Sequence, residues 1–283
     1  MSDPIKNALF PDCEIHTMEQ RSEAWHEIRA NKLTGSNMGA WLAERPEIRA
    51  TVKEIEAELD GCGVAHKGVK KRDDLLALAS QIFLPKTHLS GTVKARHGAI
   101  CGILGRIADT DCPPPFEVDP DGPPPRNPAQ WAIWNGIRME AEAVSAFEKW
   151  SGLEVEEVGF CQHKSGASGC SPDGLIQGKS WGFEGKAPLA KAHIEYLLGG
   201  VLPEAYRDQV HGSMACTGAT GWWFQSYCPG PGLPPFRILT MRDDYTERMA
   251  EGLNEFAETL NAAREEIASL WDADEMLTKE GSQ

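Results

Sequence analysis

A proline-rich stretch divides this 283-residue chain into two parts. Eight of the 22 residues from 107 to 128 are proline, including the runs Pro113–Pro115 and Pro123–Pro125. Proline fixes φ and has no backbone N–H to donate, so this stretch cannot form a helix interior or a central strand. We therefore predict an exposed, extended segment here, which is either a loop within one domain or a linker.

The segment before the prolines differs in charge from the rest of the chain. Residues 61–106 contain eight Lys or Arg and two Asp, which gives them a net charge of +6. Because the whole chain has a net charge of −14, the remaining residues together have a net charge of −20. A contact with DNA phosphates would explain this asymmetry. Solvated lysines on an inserted surface explain it equally well, and contact with another subunit or with a partner protein is a third interpretation.

Composition limits the class of protein. Hydrophobic residues make up 41% of the chain and charged residues 25%, which is enough apolar material for a sizeable core. No apolar run approaches the roughly 18 residues that a membrane span needs, and the N-terminus does not have the pattern of a secretory signal. The eight cysteines are scattered and form no C-x-x-C pair. We therefore expect a cytoplasmic protein with reduced thiols and no contact with a membrane.

Helix and strand patterns alternate in the rest of the chain. A short helix followed by a turn and a second helix start is predicted over residues 22–45, and a strand over Val155–Phe160. Pro203 and Gly218 are placed to open and close a helix, and Asp244 with Glu247 is typical of a capping box. The apolar stripes that predict three further helices are Ile48, Val52, Ile55 and Leu59; Ile137, Ala141, Val144 and Phe147; and Met249, Leu253, Phe256, Leu260, Ile267 and Leu270.

The most informative pattern is a predicted β-hairpin with charged residues at its open end. Its strands run from Asp173 to Ile176 and over Trp181–Lys186, joined by a four-residue turn. Successive side chains of a strand alternate between its faces, so Glu184 and Lys186 point the same way, and Asp173 can lie beside them. Carboxylates are hard oxygen ligands that suit Mg²⁺ or Mn²⁺, and a neighbouring lysine can hold a water or a phosphate oxygen.

Glu140 adds a fourth element to this pattern. It lies on the otherwise apolar face of the helix that contains Val144 and Phe147. A buried lone carboxylate is costly unless it is paired or bound to a metal, whereas a glutamate at the edge of that face would extend into water. Helix-Glu followed by Asp-(x10)-Glu-x-Lys is the pattern of a PD-(D/E)xK nuclease.

Six separated motifs then carry a more specific resemblance. They are W-H-x-x-R from Trp25, L-T-G-S from Leu33, G-x-x-x-E ending at Glu140, S-P-D-G-L from Ser171, E-x-K-x-P from Glu184 and Y-x-x-Q-V from Tyr206. In this order and spacing they resemble the lambda exonuclease / YqaJ viral recombinase family. The motif T-A-S of that family is T-G-S here, and the gap between Ser36 and Glu140 is longer than a compact member would have.

The resemblance implies a fold and a domain organisation. We expect an α/β restriction-endonuclease-like core, a twisted mixed sheet flanked by helices, formed by about 21–59 and 129–271. The whole chain would be one nuclease domain, and 60–128, basic and then proline-rich, would be an insertion whose role does not carry over from the family.

The resemblance also implies roles for single residues. Glu140, Asp173 and Glu184 would bind metal, with the backbone carbonyl of Gly185 as a further oxygen ligand. Lys186 would position and polarise the attacking water, and Gln209 would orient that water or the metal shell. Arg29 and Ser36 would form an anion pocket for a DNA 5′-phosphate, for which the planar guanidinium group is well suited.

The function implied is hydrolysis of DNA phosphodiesters with Mg²⁺ or Mn²⁺, with two ions in the site. A 5′→3′ exonuclease on duplex DNA would leave a 3′ single strand for phage-type recombination. A homotrimer, a single-strand annealing partner and a phage or prophage origin in a bacterial host are further implications. Two alternatives are a structure-specific or nicking endonuclease and a non-catalytic DNA-binding or scaffold protein.

Overall fold

The computed structural model describes most of the chain outside the basic and proline-rich segments. The described residues are 4–30, 32–35, 38, 52–61, 65–69, 71, 74, 75, 78, 119, 122–229 and 232–280. The helices are α1 Glu23–Ala30, α2 Val52–Gly61, α3 Pro128–Ser151, α4 Ala190–Gly199, α5 Glu204–Thr217 and α6 Asp244–Glu280. The strands are β1 Cys13–His16, β2 Leu33–Thr34, β3 Val155–Glu156, β4 Phe160–His163, β5 Ser168–Cys170, β6 Gly174–Ile176, β7 Trp181–Lys186, β8 Gly221–Ser226 and β9 Phe236–Met241.

The strands form two mixed sheets. One has the order β1-β4-β5-β2 and the other the order β3-β6-β7-β8-β9. Strand β7 lies at the centre of the larger sheet, antiparallel to β6 and parallel to β8. A central strand of this kind gives a precise position to side chains at its end, because both of its neighbours hold its backbone.

Helices α5 and α6 cover the sheets and form the main core with them. The second half of α5, from Val210 to Thr217, is buried throughout, and small residues such as Gly212 and Ala215 allow the close packing. Gly182 in β7 has the same function, because a Cβ atom there would lie 2.4 Å from the ring of Trp222 in β8. Trp222 and Phe224 are fully buried, so the centre of the larger sheet is rigidly packed.

The predicted α/β class and most predicted elements are confirmed. The hairpin pairs Gly174 with Phe183 and Leu175 with Gly182, and α5 is flanked by Pro203 and by Gly218, which has a φ of 76°. The stripe on α3 is confirmed at Phe147, which is fully buried. Within that stripe Ala141 is exposed, and the neighbouring Ala143 is buried in its place.

Three local predictions were wrong. Val155–Phe160 is not one strand, because β3 ends at Glu156 and β4 begins at Phe160 in the other sheet. The cap of α6 is formed by Asp243, whose carboxylate accepts the backbone N–H of Thr246. In the apolar stripe of α6, Ile267 and Leu270 are exposed, since the packed part of this helix extends only to Ala263.

Some predictions fall largely outside the described residues. These are most of the basic and proline-rich part, 60–128, and the second helix start within 22–45. In the described part of the chain the five cysteines are free thiols, and no helix there combines the length and the apolar character needed to cross a membrane.

Candidate active site

The C-terminal end of β7 carries an ion pair whose carboxylate is buried. The carboxylate of Glu184 is 2% exposed and accepts hydrogen bonds from the ammonium group of Lys186 and from Nε2 of Gln209, the latter at 2.7 Å. Both donors reach the same oxygen, Oε1. Three of the residues predicted for the site are therefore in direct contact, brought together by β7 and the first half of α5.

Asp173 lies beside this pair, at the turn that leads into β6. Its Oδ2 accepts the backbone N–H of Gly185 at 2.7 Å, which ties the turn to β7. Burial, followed by the charges of Glu184 and Glu140, raises the pKa of Asp173 to about 8. Two further carboxylates therefore act on Asp173 at this end of the sheet, where the sequence pattern placed it.

Glu140 borders the same cluster from α3. Its side chain is 28% exposed, and its Oε2 accepts a hydrogen bond from the guanidinium of Arg21 at 2.9 Å. The sequence left two alternatives for this carboxylate, a buried group or a group that extends into water, and the structure shows neither. It is half-buried at the edge of the cluster and paired with a cation.

The electrostatics of the cluster depend on Lys186. Burial raises the pKa of Glu184, although Lys186 opposes that effect. Burial would lower the pKa of Lys186, but the charges of Glu184 and Asp173 outweigh it and raise this pKa above its usual range. Lys186 is therefore protonated at neutral pH and acts as a hydrogen-bond donor.

The donor chemistry of the cluster fits a hard divalent cation. Asp173, Glu184 and Glu140 supply carboxylate oxygens, the ligands that Mg²⁺ and Mn²⁺ prefer. In this conformation no three acidic, imidazole or thiol side chains of the described residues are arranged to hold a metal ion. Two of the three carboxylates are instead engaged by the cations of Arg21 and Lys186.

A second cluster surrounds Arg29 on α1. Its guanidinium donates to the hydroxyl of Ser171 at 2.7 Å and stacks 4.0 Å from the ring centroid of Trp25. Trp25 also donates to Ser171 and to the carbonyl of Gly159. Burial lowers the pKa of Arg29 to about 10, and none of the described carboxylates forms an ion pair with it.

Ser36, the other residue predicted for the anion pocket, lies outside the described residues. The residue before it, Gly35, is close to this region, since a Cβ atom at position 35 would lie 3.6 Å from Cβ of Cys170. Cys170 directly precedes Ser171. The hydroxyl that the structure places on Arg29 is therefore that of Ser171, which the sequence analysis did not assign to the pocket.

Residues just before α1 connect the two clusters. Nε2 of Gln20 donates to the carbonyls of Val158 and Pro172, both at 2.9 Å, and Pro172 directly precedes Asp173. Arg21 has a φ of 70° and is the one residue other than glycine with positive φ among those described. That conformation costs a residue with a Cβ atom about 1–2 kcal/mol.

The ion pair of Arg21 with Glu140 does not offset that cost on its own. The side chain of Arg21 is 46% exposed, and a pair this accessible to water contributes about 0–1 kcal/mol. Neither Arg21 nor Gln20 belongs to a motif used in the sequence analysis. The left-handed backbone at position 21 cannot be predicted from the residue type, because arginine rarely adopts that conformation.

Known proteins resemble this arrangement. Residues 106–220 match the model of the YqaJ-like viral recombinase domain, a region that contains Glu140, Asp173, Glu184, Lys186 and Gln209. This match spans 115 of the 283 residues, and over that part the chain is similar to the YqaJ-like viral recombinase domain. The matched region starts within 60–128, so the extent of the predicted insertion stays a prediction.

Solved structures support the fold of this chain. It is similar to LHK-Exo in complex with dAMP, with 21% identity, a TM-score of 0.54, and coverage of 88% of this chain and 100% of that one. It is also similar to an alkaline exonuclease, LHK-Exo, from Laribacter hongkongensis, with the same identity and coverage and a TM-score of 0.51. No curated protein matches the chain.

Proposed function

We propose that this YqaJ-like protein is a divalent-metal-dependent deoxyribonuclease that degrades duplex DNA from a 5′ end and leaves a 3′ single strand. One observation carries the proposal. The half-buried cluster of Asp173, Glu184 and Lys186 and the cationic pocket of Arg29 are joined by the three residues from Ser171 to Asp173. A site that hydrolyses a phosphodiester near a DNA end needs both parts.

Asp173, Glu184 and Glu140 would hold one or two Mg²⁺ or Mn²⁺ ions, with the carbonyl of Gly185 as a further ligand. The raised pKa of Asp173 supports this assignment, because it reflects burial first and then the neighbouring negative charges of Glu184 and Glu140. Bound divalent metal supplies charge stabilisation on the phosphate and a lowered pKa for a bound water.

The residues of the chain do the rest of the work. Lys186 is protonated, so it would donate hydrogen bonds to the attacking water or to a phosphate oxygen and would not remove a proton. Gln209 holds Oε1 of Glu184 and so fixes the orientation of that carboxylate. Gln209 is thus a positioning residue in this scheme.

The Arg29 pocket would bind the 5′-phosphate of the strand that is degraded. Its guanidinium is half-buried and stacked on Trp25, and its pKa is lowered by burial, so an anion that supplies the counter-charge gains a strong partner. Ser171 would donate a further hydrogen bond, and Ser36 is kept in the proposal from its place in the T-G-S motif. Selective binding of a phosphorylated end would give the enzyme its 5′→3′ direction.

The family resemblance is the basis for two further parts of the proposal. We expect a homotrimeric ring around the DNA and a single-strand annealing protein that takes the product. A strictly monomeric protein in solution would contradict the ring. The basic segment 60–128 would be an insertion in the single nuclease domain.

The test is a cleavage assay with Mg²⁺ on linear duplex DNA labelled separately at its two ends. Substrates with 5′-phosphate and 5′-hydroxyl ends are compared, beside a covalently closed circle and a reaction with EDTA. Metal-dependent release from the 5′ end, faster with the phosphate and absent on the circle, is the expected result. Cutting of the circle would indicate an endonuclease, and binding without any cleavage would indicate a DNA-binding protein.

A further inference from the structure

Arg21 is the feature of the site that the proposed function does not yet use. Its backbone is left-handed, and its partly exposed ion pair with Glu140 does not compensate for that conformation. A strained residue persists when its surroundings fix it in place, and such residues concentrate at functional sites. A glycine would satisfy the backbone here without strain, so the side chain itself needs an explanation.

The surroundings of Arg21 do fix it in place. Gln20 holds the preceding backbone to the carbonyls of Val158 and Pro172, and Ser22 follows as the cap of α1, accepting the N–H of Trp25 at 3.3 Å. The guanidinium is therefore kept at the edge of the acidic cluster, on the side that faces the start of α1. Arg29 lies two turns further along the same helix.

The chemistry of this position favours a phosphate ligand. A guanidinium group has five N–H donors, and one bond, from Nη2 to Oε2 of Glu140, is its described contact. Once Glu140 is engaged as a metal ligand, Arg21 lacks its counter-charge. Under the proposed function, a DNA backbone that runs from the Arg29 pocket to Asp173 would pass Arg21, whose neighbour Gln20 contacts Pro172, and would supply phosphate oxygens.

We propose that Arg21 is a substrate-binding residue of the active site, which pairs with Glu140 in the free protein and binds a phosphate of the degraded strand when metal and DNA are present. This inference rests on the proposed function. It adds a third phosphate-binding position between the end pocket and the scissile bond, and it assigns the strained backbone to that role.

The experiment compares Arg21→Gly, Arg21→Lys and the unaltered protein in binding to 5′-phosphorylated duplex DNA, with Ca²⁺ in place of Mg²⁺ and over a range of salt concentrations. We expect Arg21→Gly to bind this DNA about 10-fold more weakly. The negative slope of the logarithm of the association constant against the logarithm of the salt concentration should become shallower by about 0.9, the value for one lost phosphate contact. Arg21→Lys should retain the slope. Arg21→Gly should melt at an unchanged or higher temperature, because glycine relieves the strain.

Lys164→Gln is the matched control. Lys164 forms a 2.7 Å ion pair with Asp12. It directly follows β4, which belongs to the smaller sheet and not to the sheet that contains β7. Its loss should leave both affinity and salt slope unchanged. A Mn²⁺ titration of each variant, followed by electron paramagnetic resonance, separates a role in metal binding from a role in DNA binding.

Equal affinity and slope in Arg21→Gly and the unaltered protein would overturn the inference. So would a change in Mn²⁺ affinity with an unchanged salt slope, which would make Arg21 a positioning residue for Glu140 alone. The cleavage assay of the unaltered protein is run in parallel. If the unaltered protein cleaves DNA but its salt slope equals that of Arg21→Gly, only this inference is overturned. If the unaltered protein binds DNA without cleaving it, the proposed function is overturned, and the comparison of salt slopes still decides whether Arg21 contacts a phosphate.

Discussion

The acidic cluster and the Arg29 pocket handle buried charge in opposite ways. Glu184 is almost fully buried, and its charge is offset at once by Lys186 and a hydrogen bond from Gln209. Arg29 is half-buried between a hydroxyl and an aromatic ring, without a carboxylate partner among the described residues. The pKa values reflect this difference, since Lys186 is raised above its usual range and Arg29 is lowered to about 10.

The difference shows which of the two clusters is complete in the free protein. When one partner of a compensated pair is removed, the other charge stays buried without a counter-charge, which destabilises the fold. Removing an uncompensated cation should change the stability of the fold little. It should weaken the binding of an anionic ligand more, because that ligand would neutralise the cation. Substitutions in the acidic cluster should therefore change both stability and activity, and substitutions in the Arg29 pocket should change mainly recognition.

The largest effect is expected for Asp173→Asn. Loss of this carboxylate should lower the rate of DNA cleavage on the order of 10³-fold or more, because metal-assisted charge stabilisation is worth several kcal/mol. The same change should raise the free energy of unfolding in EDTA by about 1–3 kcal/mol at pH 8, because a crowded charge is removed while the acceptor for Gly185 is kept. Activity and chemical denaturation are measured on the same preparation.

The pH dependence sharpens this prediction. The pKa of Asp173 is raised in the folded protein, so its contribution to stability is complete below about pH 4 and is lost as the pH rises to about 8. The melting temperature of the unaltered protein in EDTA should therefore fall over this interval. Asp173→Asn should flatten that decline, and an undiminished decline would contradict the assignment of Asp173 to the cluster.

Lys186→Ala should have the next largest effect. Loss of a donor to the water or the phosphate should lower kcat by about 10²–10³-fold, as removal of one preorganised donor does in other sites. The melting temperature in EDTA should also fall, since Glu184 loses its cation. Lys179→Ala is the control, because Lys179 is an exposed lysine in the turn of the same hairpin. Similar kinetics for the two variants would remove Lys186 from the site.

Arg29→Gln should have a smaller and more selective effect. Cleavage from 5′-phosphorylated ends should slow by about 10- to 100-fold, the range for a lost charged hydrogen bond, while cleavage from 5′-hydroxyl ends should barely change. Lys32→Gln provides a control on the same side of the molecule, where burial also lowers the pKa of a cation. This control should leave the ratio between the two ends unaltered, and the melting temperature of Arg29→Gln should stay close to that of the unaltered protein.

Much of the site was predictable because it lies on regular elements. The alternation of a strand placed Glu184 and Lys186 on one face, and the hairpin placed Asp173 beside them, before any contact was known. Gln209 was predictable by resemblance alone, since its contact with Glu184 links α5 to β7 across 25 residues. The Arg29 pocket was predicted as a site, but its contact with Ser171 spans 142 residues and has no local signal.

Other features depend on packing that a sequence pattern does not contain. The break between β3 and β4 coincides with Gly159, where a Cβ atom would lie 2.1 Å from the carbonyl oxygen of Met18. A run of strand-forming residues gives no warning of that contact. Similarly, the spacing of Ile267 and Leu270 identifies a helix correctly, but whether a stripe is buried depends on the surface that lies opposite.

The two hydrogen bonds of Gln20 have a consequence for the products of the proposed reaction. They join the start of α1 to the backbone beside Asp173, which restrains the Arg29 pocket and the acidic cluster relative to each other. Under the proposed function, the end of the strand and the bond to be cut are then held at a fixed separation. Under that proposal, every cycle of cleavage would release a fragment of the same length.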